Sequence, residues 1–407
     1  MALKPGYKKT EVGVIPEEWE VRALGELAAV TAGGTPSRTN SQYWGGDIPW
    51  VTTSEVDACT ITHVEQFITK EGLSNSAAKL LPRGTLLMAL YGQGKTRGKV
   101  GILGIDAATN QACAAISLHY GVSREFIFYL LASQYDTIRN LSNTGNQENL
   151  NGSLVRSISL LLPTEAEQQA IAVALGDVDA LLGALERLIT KKRDLKQATK
   201  QQLLTGQTRL PGFSGEWEET TLGAIGECII GLTYDPNNVV EHGLLVLRSS
   251  NVQGGRLAYD NNVYVDIEVN ERLITRPGDI LICVRNGSRT LIGKSAVIDE
   301  YAAGTTFGAF MTVYRTSHWR FISHAFQSEN IQRQIRDNIG ATINQITNKD
   351  MKALRLKLPS SCEQTAIAAV LSDMDAELAM LERRLAKTRA LKQGMMQELL
   401  TGRTRLL

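Results

Sequence analysis

Apolar residues recur in alternating steps of four and three along two well-separated stretches of this chain. In the first they are Ile171, Leu175, Val178, Leu182, Leu185 and Ile189; in the second they are Ile367, Leu371, Met374, Leu378, Leu381 and Leu385. That spacing is the narrow seam of a left-handed coiled coil, which one helix cannot cover alone. The pattern predicts that the two stretches pair with each other. Two separate helices, each packed on its own domain, are the alternative.

Both stretches carry helix boundaries. Thr164 with Glu167, and Ser360 with Glu363, have the spacing of a capping box, in which the hydroxyl takes an orphan backbone donor and the carboxylate reaches back. Gly206 and Gly402 stand where a left-handed residue closes a helix. About 40 residues lie between these marks, so each helix spans roughly 60 Å at 1.5 Å per residue.

The two stretches are also copies. An offset of 196 superposes Glu167 on Glu363, Asp177 on Asp373, Lys196 on Lys392, and 203–206 on 399–402, without a gap. The likeness extends more faintly to Ile15-Pro16-Glu17-Glu18-Trp19, which returns as Gly215-Glu216-Trp217 at an offset of 198. The chain thus reads as a tandem duplication: a variable block at 1–163, a spacer helix at 164–206, a second block at 207–359, and a second helix with a short tail at 360–407.

Within the blocks the periodicity is mixed. Strands are expected at 48–53, 85–90, 99–103 and 112–118 with a helix at 123–133; in the second block strands are expected at 244–247, 279–284, 295–298 and 309–314 with a helix at 320–327. The fold class is α+β: two similar small α/β domains separated by a pair of long antiparallel helices, with pseudo-twofold repetition.

Composition narrows the function. In 407 residues, 43% are hydrophobic and 21% charged, and the formal net charge is +1. A stand-alone, non-specific nucleic-acid binder is strongly basic, so that class is disfavoured, whereas a specific binder with local basic groups is not. Cys59, Cys113, Cys228, Cys283 and Cys362 lie more than fifty residues apart, which offers neither a metal-type pair nor a disulfide framework. Scattered thiols, a charged N-terminal stretch and no run of 18 apolar residues lead us to expect a cytoplasmic protein with no membrane partner.

Catalytic motifs fare poorly. The stretch from Ala89 through Gly94-Lys95-Thr96 fits a phosphate-binding loop if Ala replaces the first Gly, but Gly98 and Gly101 fall where the helix must begin, and the chain then reads as strand. His63, His119, His242, His318 and His324 never stand four apart with a glutamate, and no GxSxG elbow occurs. Tyr234-Asp235-Pro236-Asn237 resembles an adenine-methyltransferase tetrapeptide in composition but not in order. No catalytic residue, cofactor or metal is expected. A self-contained enzyme working through Lys95, and a purely structural adaptor, remain as rival readings.

Loop chemistry favours DNA. Arg suits the guanine O6/N7 edge, Asn and Gln suit adenine N6/N7, and Lys, Ser and Thr hold phosphates. Candidates in the first block are Tyr91, Gln93, Lys95, Arg97, Lys99, Asn110, Gln111, Asn146 and Gln147. In the second they are Arg248, Ser249, Asn251, Arg285, Asn286, Arg289, Lys294, Asn344 and Gln345. The runs Lys191-Lys192-Arg193 and Arg383-Arg384 lie off the seam, as a solvated face or as a patch for a partner or for DNA.

The paired LP…EQ…LLTG…RL helices, the Trp19 and Trp217 openings and the tandem order resemble the specificity subunit of Type I restriction-modification systems across essentially the whole chain. The resemblance implies two target-recognition domains on an antiparallel helix pair, double-stranded DNA as ligand, and no catalysis of its own. It also implies two modification (methyltransferase) subunits and restriction (endonuclease and translocase) subunits as partners. It assigns no base contact to any residue of the variable blocks.

Overall fold

A computed structural model describes residues 5–92, 94–141, 149–339 and 344–406. The chain forms two compact units, one of Met1–Glu186 with Arg384–Leu407 and the other of Arg187–Arg383.

The first unit is built on a five-stranded sheet in the order Ala28–Ala32, Cys113–Leu118, Leu86–Ala89, Val100–Leu103, Thr60–Ile61. Its pairs are antiparallel except the last. Strand Leu86–Ala89 is apolar at every position because both its faces are buried. Leu86 and Met88 join a core with Trp19, Phe126 and Ile127, while Leu87 and Ala89 join another with Val51 and Cys113. Helix Arg124–Ser133 covers the first face, and its Ser123 cap accepts from the Phe126 N–H at 3.4 Å. A three-stranded sheet places Trp44–Val51 between Ala108–Thr109 and Gln66–Ile68.

The second unit repeats the plan. Its four-stranded antiparallel sheet runs Glu227–Ile230, Met311–Arg315, Ile280–Cys283, Ser295–Val297. Ile280 and Ile282 face a core containing Phe321, Phe326 and Ile335, and Leu281 and Cys283 face one containing Leu247, Phe307 and Val313. Helix Trp319–Phe326 lies where the pattern predicts a helix, and Glu329–Asn338 follows it without having been foreseen.

The long helices are Glu165–Thr205, 41 residues, and Ser361–Leu399, 39 residues. The first passes from one unit to the other after Glu186, the second after Arg383. Inside the first unit Asp179 pairs with Lys392 and Glu186 with Arg389, each at 2.6 Å. Inside the second, Lys192 pairs with Glu377 and Arg193 with Glu382, each at 2.6 Å, and Lys196 pairs with Asp375. Numbers rise on one helix as they fall on the other, so the pairing is antiparallel in each unit. Such exposed pairs are individually worth under about 1 kcal/mol and serve mainly to set register.

The ends of the apolar seam have another neighbour. Ile171 and Leu175 sink into the first unit's core, and Ile367 and Leu371 into the second's. Leu185, Ile189 and Leu378 are buried, while Val178, Leu182, Met374, Leu381 and Leu385 are half-buried. Each helix is therefore anchored at its first turns by a domain and faces the other helix farther along.

The capping boxes form by half only. Thr164 and Ser360 accept from the N–H of Glu167 and Glu363 at 3.4 Å, as the spacing predicts. The carboxylates do not turn back. Glu167 takes hydrogen bonds from Trp19 Nε1 at 2.9 Å and Arg405 Nε at 2.5 Å, and Glu363 takes two from Arg209, at 2.5 and 2.6 Å. Both carboxylates are buried, where a charge-assisted partner outweighs a lone backbone N–H. At the other ends, Gly206 and Gly402 have φ of 70° and 71°, the left-handed closure expected. Among the described residues no helix is long and apolar enough to cross a membrane.

Candidate nucleic-acid interface

Each unit gathers its polar turns at one edge of its sheets by the same backbone bonds. In the first unit Leu90 N–H donates to Ala112 O at 2.7 Å, Leu150 N–H to Leu90 O at 3.0 Å, and Gly98 N–H to Ala89 O at 2.8 Å. In the second, Val284 N–H donates to Phe310 O at 3.0 Å, Ile346 N–H to Val284 O at 2.9 Å, and Gly293 N–H to Cys283 O at 2.8 Å. Gly98 and Gly293 hold φ of 86° and 84°, so only glycine closes these turns without strain. The matching bonds fasten turns of different sequence in the same places.

In the second unit the turns at 248–251, 284–289, 308–310 and 344–346 converge. Asn286 Nδ2 donates to Ser249 Oγ at 3.1 Å, Asn344 Nδ2 to Gly287 O at 2.9 Å, and Arg285 bridges Gln345. Arg285 and Arg289 are exposed, with the Arg285 guanidinium 5.0 Å from the Phe310 ring centroid. Lys294 is half-buried beside the Ser249 carbonyl. Asn251 differs from its neighbours: it is fully buried, and its amide is spent on Ala258 O, Asn262 Oδ1 and the Arg248 N–H. It shapes the turn that presents Arg248 and Ser249.

In the first unit Tyr91 and Lys95 are exposed, and Lys95 O accepts from Tyr135 at 2.7 Å. Lys99 pairs with Asp57 at 2.5 Å. Asn110 turns its side chain onto the Ala112 N–H at 3.0 Å, and Gln111 accepts from Thr35. Arg97 is 3% exposed, a long side chain folded inward from a glycine-rich turn. Gln93, Asn146 and Gln147 lie outside the described residues. The turn at 94–98 runs into strand Val100–Leu103 rather than a helix, so no helix N-terminus lies behind Lys95 to hold a nucleotide phosphate.

Sequence reasoning passed over three groups here. Phe310 is 54% exposed, Arg38 lies 3.8 Å from the Trp44 ring centroid, and Ser250 lines the same cleft as Arg248. An aromatic residue two positions after Gly308 and just before a strand was the available signal for Phe310. Burial pushes the Cys113 thiol up to about 12 and Cys228 up to about 11, the reverse of what an activated nucleophile needs. Among the described residues no group of three or more His, Cys, Asp and Glu could hold a metal ion.

Residues 16–196 and 215–388 each match the family model of the type I restriction modification DNA specificity domain. The putative type I restriction enzyme MjaX specificity subunit of Methanocaldococcus jannaschii is 23% identical over 435 residues, covering 98% of this chain and 97% of that one. The MjaIX specificity subunit of the same organism is 29% identical over 184 residues, which is 43% of this chain and 41% of the relative, so there the match spans less than half the relative's length. A crystal structure of the S subunit of a type I restriction-modification system from M. genitalium superposes with a TM-score of 0.61 at 17% identity, over 98% of this chain and 99% of that one. At that identity the likeness speaks for the fold. The two matched stretches take in most of the chain, and on that ground it belongs to the type I restriction modification DNA specificity family.

Proposed function

We propose that this chain reads a split, asymmetric sequence in double-stranded DNA and thereby directs the adenine-methylating modification subunits and the restriction subunits of a type I complex. Residues 1–163 and 207–359 are the two readers, and the helices at 164–206 and 360–407 set the gap between half-sites and dock the partner subunits. The chain itself is non-catalytic, works in the cytoplasm, and is joined by two modification subunits.

One observation carries this reading: equivalent backbone bonds in the two units hold turns of unlike polar chemistry, Tyr91 and Lys95 in one, Arg285, Asn286 and Arg289 in the other. A shared scaffold with exchanged tips is what two independent readers of different sequences require. Co-expression with its modification subunits, followed by single-molecule sequencing of the methylated genome, is the test. A bipartite motif with an unread gap is expected. A continuous palindromic motif, or methylation with no motif, would defeat the reading.

A further inference from the structure

In the first unit the loop at 33–43 carries an arginine held by two indoles. The Arg38 guanidinium lies over the Trp44 ring, 3.8 Å from its centroid and 5.2 Å from that of Trp50. The two rings meet edge-on at 88°, so they form a corner in which the cation sits. Trp44 Nε1 donates to Ser37 O at 3.1 Å and Trp50 Nε1 to Gly34 O at 2.9 Å, which pins the loop just before Arg38.

Arg38 is exposed, and among the described residues its guanidinium makes no hydrogen bond and no ion pair. Arg22 and Arg124 of the same unit are instead paired with glutamates. Stacking on an aromatic face orients a guanidinium without using its N–H groups, which stay free for a ligand. The side chain is thus a fork whose orientation is set before a ligand arrives.

The loop belongs to the edge where the polar turns gather. Gly34 N–H donates to Thr109 O at 2.8 Å, Gly33 N–H to Cys113 O at 3.3 Å, and the Thr35 hydroxyl to the Gln111 side chain. The second unit repeats the backbone bonds, with Gly231 N–H on Met311 O at 3.2 Å and Leu232 N–H on Phe307 O at 2.9 Å, and Val246 pairs with Thr306 there as Trp50 pairs with Ala108. Between Leu232 and Val246 the chain has neither arginine nor tryptophan. The shared scaffold closes without the device, so Arg38 and its indoles answer to something other than folding.

We propose that Arg38, oriented by Trp44, binds a pair of hydrogen-bond acceptors on the DNA half-site read by the first unit. A planar fork with two parallel N–H groups fits guanine O6 and N7, or two oxygens of one backbone phosphate. The proposal rests on the reading of the chain as a DNA-recognition subunit and adds a contact residue to it, one with no counterpart in the second unit's loop.

The test uses the full chain with its modification subunits and a duplex carrying its mapped methylation site. Arg38→Ala, at an exposed position, weakens binding about tenfold. Arg38→Lys weakens it nearly as much, because the charge returns without the fork. Single 7-deazaguanine replacements, which remove N7, and single methylphosphonates, which remove a phosphate charge, are then scanned across the half-site that changes when residues 1–163 are exchanged. One of them reproduces the loss with the parent chain and costs nothing further with Arg38→Ala; a 7-deazaguanine identifies guanine as the source of the acceptors, and a methylphosphonate identifies a phosphate. Binding of Arg38→Ala or Arg38→Lys at the parent's strength, or a loss that adds to that of every modified duplex, overturns the proposal while leaving the wider reading intact. Failure of the wider reading looks different: the parent complex would not distinguish its mapped site from a scrambled duplex.

Discussion

Arg405, beyond the end of the second long helix, donates from Nε to the buried carboxylate of Glu167 at the start of the first, at 2.5 Å. The second unit repeats the device with Arg209 and Glu363. The two copies are not equally supported, because Glu167 also accepts from Trp19 Nε1 whereas Trp217 Nε1 is buried without a partner among the described residues. Removing one member of a buried pair costs about 3 kcal/mol when the remaining charge has no other donor. Arg209→Ala should therefore destabilise the chain more than Arg405→Ala, since the Trp19 indole still donates to the Glu167 carboxylate. Urea denaturation of both variants checks the order, and equal losses would show that the indole bond adds nothing.

A second prediction concerns pH. Burial first, and then Lys200 and Lys196, hold the His324 imidazole down at about 4, against the pull of Asp375. The unfolded chain takes up a proton near pH 6.5 that the folded chain refuses until about 4, so stability is lost as pH falls through that interval, by up to about 1.4 kcal/mol per unit. Burial, followed by repulsion from Lys196, likewise lowers Lys200 to about 8 against attraction by Asp375. Between about 8 and 10.5 the unfolded chain holds the extra proton, so stability rises with pH there. Melting curves across both intervals should flatten in the acid range for His324→Gln and in the alkaline range for Lys200→Met.

Long-range order was more legible than local chemistry, and particular residues show why. The helices announce themselves through Ile171 to Ile189 and Ile367 to Leu385 because a repeated period needs no knowledge of neighbours. Strands such as Leu86–Ala89 and Ile280–Cys283 were visible as apolar runs bounded by turns. The strand Ala28–Ala32 was not, since three of its five residues are alanine, which carries little β preference, and its place comes from pairing with Cys113–Leu118. Asn251 looked like a reader because residue type cannot disclose whether an amide faces solvent or closes its own turn. Glu167 looked like a cap because its real partners stand at Trp19 and Arg405, 148 and 238 positions away.

The independence of the two readers is a third prediction. In each unit the turns are fastened to elements of that same unit, through bonds such as Leu150 to Leu90 and Ile346 to Val284. Exchanging residues 1–163 for the corresponding block of a relative with another target should change one half-site and leave the other and the gap untouched. Methylation mapping of the chimaera reads this directly. A change in both halves would mean that the blocks do not read separately.

The length of the spacer gives the fourth. Deleting seven residues from one helix alone would misalign charged pairs that the sequence places in register, including Arg193 with Glu382 and Arg389 with Glu186. Deleting one heptad from each helix, within 176–189 and 372–385, preserves the seam and the direction of pairing while shortening both helices equally. Seven residues at 1.5 Å each remove about 10 Å, and at 3.4 Å per base pair that is about three base pairs. The shortened protein should methylate sites with both half-sites unchanged and the unread gap reduced by about that number. If mapped sites keep the original gap, the helices do not measure DNA and the distance between half-sites is set by another subunit.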